Sequence, residues 1–200
     1  MKLKITCAPW SNIKITSELQ EAAEIIADNV WKDATIKFYS IREAKIGNGK
    51  LAPKGIQKYI NEILDKKFAE AGWDGDSGYY LKNKTWIRIT FRHQMSLGSD
   101  FINAMKVCKK EGMELVAIIA ADKDTLKIIS PNDAGALISF EKLFAEMMSL
   151  NGVIDIPLVI GSLSPLTEAS KGITKEILKD RPRDISMPNG YYSNSKKGRS

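Results

Sequence analysis

The stretch TWIRITFRHQ (85–94) spaces Arg88, Thr90 and Arg92 two residues apart. On an extended strand these three share one face with Trp86, while Ile87, Ile89 and Phe91 take the other. A guanidinium stays protonated and offers only donors, so it grips a carboxylate or a phosphate and cannot ligate a metal ion. Two kinds of partner are open at this stage. One is an acidic side chain of the neighbouring loop GWDGDSG, Asp74 or Asp76; the other is an anionic partner molecule. His93 is the only histidine, and no carboxylate is placed in the sequence to orient it as a general base.

The bulk properties narrow the choice. The 200 residues carry 44% hydrophobic side chains, enough for a full core in one domain. Net charge is +6, and Lys171–Ser200 alone holds eight basic residues against three acidic ones, a composition suited to a polyanion or to a solvated tail. Cys7 and Cys108 stand far apart, without CxxC or Cys/His grouping, so two buried thiols in a reducing cytoplasm are expected and a zinc site is not. No run approaches the roughly 18 apolar residues of a membrane helix, and MKLKITCAPW lacks the apolar segment of an export signal. GNGK (47–50) lacks the preceding strand and the Lys-Ser/Thr ending of a nucleotide-binding P-loop.

The elements that must position these residues follow from periodicity. A helix is predicted over 17–31, opened by a Ser-x-x-Gln capping box, and a strand over 34–41, ATIKFYSI. GNGKLAP (47–53) reads as a loop, with Pro53 in the first turn of a helix that Gly72 closes. Residues 77–92 read as a β-hairpin turning at Lys82, Asn83 and Lys84. A helix over 99–112 with Ser99 as cap, a strand over 113–121, a helix over 139–152 and a strand over 153–163 complete the pattern. MELVAIIAA is apolar almost throughout, as in a strand covered on both sides. The expectation is an α/β domain over 1–165, a mixed central sheet flanked by helices, followed by a basic arm over 166–200.

The order and spacing of IRITF, EGMELVAIIAADKD and SFEKLFAEMMSLNGVIDIPLVIGSL resemble the core of the BglII/BstYI-type restriction endonucleases. IREAKIGNGKLAPKGIQKYINEILDKKFAEAGW (41–73) adds a fainter likeness. The resemblance implies the PD-(D/E)XK fold, a homodimer that clasps duplex DNA at a short palindrome, and Mg²⁺ held by an Asp on the first hairpin strand and a Glu-x-Gln on the second. This sequence departs at that motif: Arg88-Ile89-Thr90 replaces Glu-x-Gln, and Tyr79 or Tyr80 falls where the Asp is due. On the resemblance, Arg88, Thr90 and Arg92 form a DNA-facing surface, with a fixed cation where relatives chelate a metal.

Two further expectations depend on the resemblance. Arg92 and His93 fall where the family keeps base-touching residues, Arg92 matching guanine O6 and N7. The loop SPNDAG (130–135) resembles one that enters the major groove, Asn132 matching adenine and Asp133 cytosine, although it is also ordinary turn chemistry. From composition alone, Lys196, Lys197 and Arg199 in the tail YYSNSKKGRS suit a groove or the phosphate backbone, with a disordered end as the alternative. The leading expectation is a duplex DNA-binding pseudo-nuclease needing no cofactor. The alternatives are a Mg²⁺-dependent type II endonuclease with a relocated site at Asp76, Glu70 and Lys84 (or Lys82), and a protein-interaction subunit that kept only the fold. Phe144, Met147 and Met148 are expected in the core or a dimer interface.

Overall fold

The computed structural model describes residues 1–10, 13–131 and 133–165. Asn132 and the arm 166–200, with Lys196, Lys197 and Arg199, lie outside the described residues. Five strands form one mixed sheet, in the spatial order β1 (Lys2–Cys7), β5 (Leu158–Ser164), β4 (Leu115–Ala121), β3 (Thr85–Thr90) and β2 (Tyr79–Lys82). β3, β4 and β5 run parallel, and β1 and β2 close the two edges antiparallel. The hairpin forms where the sequence predicts it, with Asn83 in the left-handed conformation its tight turn requires. All seven residues of β4 are buried, as its continuous apolar run demands.

Helices cover both faces. One core joins Ile87, Ile89, Phe91, Ala117 and Ile119 to α1 (Ser17–Ala27), α2 (Val30–Gly47), α3 (Gln57–Glu70) and α5 (Lys123–Ile129). The other joins Trp86, Val116, Ile118 and Ala120 to α4 (Leu97–Glu111) and α6 (Phe140–Ser149). An α/β architecture with a helix-flanked mixed sheet is therefore observed.

Several expectations need correction. ATIKFYSI is helical, part of α2, because its buried positions Val30, Trp31, Ala34, Thr35 and Phe38 follow the helical period and Thr35 donates to the Trp31 carbonyl within the helix. The long helix expected over 17–31 breaks at Asn29, in the left-handed region, which separates α1 from α2. Thr16, not Ser17, caps α1 by accepting from the Leu19 amide. α3 begins at Gln57, beyond Pro53, and α4 begins at Leu97, before Ser99. β1 and α5 were not expected at all.

Helix signals read correctly elsewhere. Gly112 ends α4 with φ 62°, its amide bonded to the Cys108 carbonyl. Ser139 caps α6 by accepting from the Lys142 amide at 3.3 Å. Ser139→Ala is expected to lower stability by about 1 kcal/mol, measured by urea denaturation, because the amide loses a partner in a buried setting.

Candidate nucleic-acid interface

Position in the sheet decides what the arginines do. β3 has β2 on one side, β4 on the other, and helices over both faces, so all six of its residues are buried. Tyr79 on β2 lies opposite Arg88 in the hairpin register. α4 crosses the same face and delivers Asp100 from its first turn. Asp100 Oδ1 stands 3.4 Å from Arg88 Nε and 3.4 Å from Arg92 Nη1, and Tyr79 Oη donates to it at 3.3 Å. The Arg88 Nε contact is close enough for ion pairing but is not aligned as a hydrogen bond, so its attraction is mainly Coulombic.

Arg88 is 3% exposed and Asp100 fully buried. Arg88 donates instead from Nη1 to the Ser77 carbonyl at 2.7 Å, and its guanidinium carbon lies 3.7 Å from the centre of the Tyr79 ring. Burial pushes the Arg88 guanidinium below its usual pKa, while Asp100 and Tyr79 pull it back; an arginine in that balance stays charged.

The expectation that Arg88 and Thr90 face DNA is thereby corrected. Alternation along the strand does put them on one face, but α4 covers that face and Thr90 has no exposure. The acidic partner is neither Asp74 nor Asp76. Asp100 was missed because an acid in the first turn of a helix is already accounted for by the helix dipole. Its signal was a carboxylate on the covered, apolar face shared by Phe101 and Ala104.

The relocated site is not assembled either. Glu70 is exposed and pairs with Lys66 at 3.7 Å. Asp76 is exposed in the turn, where its carbonyl accepts from the Tyr79 amide. Lys84 donates to the Glu111 carbonyl, and Lys82 binds the Glu21 carboxylate. Among the described residues no group of three or more His, Cys, Asp or Glu side chains is placed to hold a metal ion. The residues at the motif position, Tyr79, Arg88 and Thr90, do not fit Mg²⁺, which needs an oxygen cage.

Arg92 behaves differently. Two residues past the end of β3, it is 46% exposed and lines a cleft of about 260 Å³ with Gln57, His93, Ser96, Ser130 and Asp133. Backbone bonds build this cleft from two segments distant in sequence: the Gln94 amide donates to the Ala136 carbonyl at 2.8 Å, the Ile138 amide to the Arg92 carbonyl at 2.9 Å, and His93 bridges Leu137. The structure thus brings Arg92, His93 and Asp133 together. A second hollow of about 510 Å³ shares Gln57 and Ser130 with the first and adds Lys54, Lys58 and Asn61. The lysines there were not singled out from sequence, where they look like an ordinary solvated helix start. Glu62 and Asp65 also border it, but Glu62 is paired with Lys37 and Lys58, and Asp65 accepts from the Tyr80 hydroxyl at 2.7 Å. No helix among the described residues is long and apolar enough to cross a membrane.

No family model and no curated protein sequence matches the chain. A solved structure with some likeness is restriction endonuclease BglII complexed with a DNA 16-mer. It is 18% identical, with a TM-score of 0.45, over 82% of this chain and 76% of that one. A likeness of that size assigns neither a family nor an activity.

Proposed function

We propose that the chain binds duplex DNA on a restriction-endonuclease-like scaffold and does not hydrolyse it by the metal chemistry of that fold. The observation that carries this reading is the cleft: Arg92 and His93 from one segment and Asp133 from another stand on shared walls, with Lys54 and Lys58 in the adjoining hollow. The donors Arg92, Lys54 and Lys58, interspersed with the Asp133, Glu62 and Asp65 carboxylates, suit a ligand with a charged backbone and polar edges. Net charge of +6 supports the same partner. The missing catalysis is supported by the Arg88–Asp100 pair, which fills with a fixed cation the place where the resemblance puts a metal cage. Phe144 and Met148, half-exposed on α6, support self-association, and a homodimer completes the proposal; Met147 lies in the core. The cytoplasm is the compartment proposed, on the two free thiols, which are not buried as expected: Cys7, at the end of β1, is exposed and Cys108 half-buried.

The test is a gel shift with random-sequence and palindrome-rich duplexes. Binding is expected at low salt, with a loss of roughly 10³–10⁵ in affinity between 50 and 200 mM salt if six to ten phosphates are engaged. No nicking is expected after addition of Mg²⁺ or Mn²⁺. Metal-dependent cleavage at a defined site would instead make the protein an endonuclease, and absence of binding at low salt would make it an interaction subunit.

A further inference from the structure

Asp100 faces more positive charge than it can neutralise. Two guanidinium groups and the Tyr79 hydroxyl converge on Oδ1, while Oδ2 is buried without a hydrogen-bond partner among the described residues. One carboxylate against two arginines leaves a surplus of one positive charge. Arg88 is sealed inside, so the surplus resides at Arg92, the arginine that opens on the cleft. Arg92 spends Nη1 on two long contacts, 3.4 Å to Asp100 and 3.4 Å to Tyr79 Oη. Among the described residues Nε and Nη2 have no partner, and they form the side-on fork that matches two oxygens of one anion. Ser96, which lines the cleft, precedes α4, whose positive end adds to the field there.

We infer that Arg92, held by Asp100 and Tyr79, is a phosphate-binding site at the mouth of the cleft. A base edge is neutral and leaves the surplus charge unanswered, whereas a phosphate group answers it. This ranks Arg92 as a phosphate contact rather than a guanine reader. The site follows from the cluster alone; its occupant being a DNA phosphodiester rests on the function proposed above. Asp133 also lines the cleft, solvent-exposed, and opposes an anion there.

Titration of the full chain with inorganic phosphate at constant ionic strength, followed by NMR, tests the site without DNA. Saturable shifts at Arg92, His93 and Ser96 are expected. Arg92→Gln, at an exposed position, should abolish them while leaving the melting temperature nearly unchanged, and Asp133→Asn should tighten binding severalfold. Absence of saturation, or equal shifts in Arg92→Gln, overturns the inference. In the DNA arm, Arg92→Gln should reduce the salt slope of duplex binding by about one phosphate contact, with equal losses on all sequences. An unchanged slope with altered sequence preference overturns the phosphodiester assignment. Phosphate binding without any duplex binding upholds the site and overturns the DNA reading instead.

Discussion

Asp100→Ala is expected to destabilise the protein by about 3–5 kcal/mol, read from the urea midpoint at constant slope. The mutation strands Arg88, 3% exposed, with its main counter-charge gone. Taking a guanidinium out of water costs several kcal/mol, and only a close anion offsets that cost in the interior. The Ser77 carbonyl and the Tyr79 ring remain, but neither carries a charge. Arg92 adds to the damage, since without Asp100 two cations face each other across the cluster. Removing both members is a different matter. Arg88→Met combined with Asp100→Leu is expected to cost far less than Asp100→Ala alone, because replacing a buried pair by apolar groups of similar volume is often neutral or stabilising by about 1–4 kcal/mol. A loss below about 1 kcal/mol for Asp100→Ala, in the range of an exposed pair, would mean that the pair is not buried.

Gly78→Ala is expected to cost about 2–5 kcal/mol, measured in the same way, from strain of about 1–2 kcal/mol and a disrupted backbone hydrogen bond of about 1–3 kcal/mol. Gly78 has φ 84°, and a methyl group there would lie 2.2 Å from the Ile89 carbonyl oxygen and 2.9 Å from Arg88 Nη1. The carbonyl cannot move aside freely, because the Ile89 amide donates to the Gly78 carbonyl at 2.8 Å. The side chain it would displace is the one that completes the charge cluster. Gly72 supplies the control: its φ is 77°, but a methyl group there meets nothing within 4 Å. Gly72→Ala should therefore cost only the conformational strain, about 1–2 kcal/mol. Equal costs at the two glycines would show that the close approach at Gly78 contributes nothing.

Local chemistry made much of the fold legible. Alternation marked the hairpin, an unbroken apolar run marked β4, and Gly112 and Ser139 marked helix ends. The misreadings also have physical causes. ATIKFYSI alternates for a few residues, but the wider spacing of Val30, Ala34 and Phe38 is helical, and among the described residues no strand pairs with it. β1 is signalled by the alternation of Lys2, Leu3, Lys4 and Ile5, which its exposure follows; what local periodicity does not contain is the register, Lys2 with Ser164 and Cys7 with Val159. The strand expected over 153–163 begins only at Leu158, where β4 and β1 offer partners on both sides. α5 is short, and its cap, Asp122 accepting from the Thr125 amide, reads in sequence as the end of a strand.

The sequence by itself determined that Arg88, Thr90 and Arg92 fall on one side of an extended segment, that these three positions carry no carboxylate of their own, and that the chain is basic. Periodicity assigns a side to each residue and composition assigns its charge; neither says what lies over that side. Only the tertiary structure decided that α4 buries Arg88 against Asp100, that Arg92 stays open, and that Asp133 comes to the same cleft. Burial and ion pairing are set by elements that meet across the chain, and the free energy of a charge depends on that meeting more than on its neighbours in sequence.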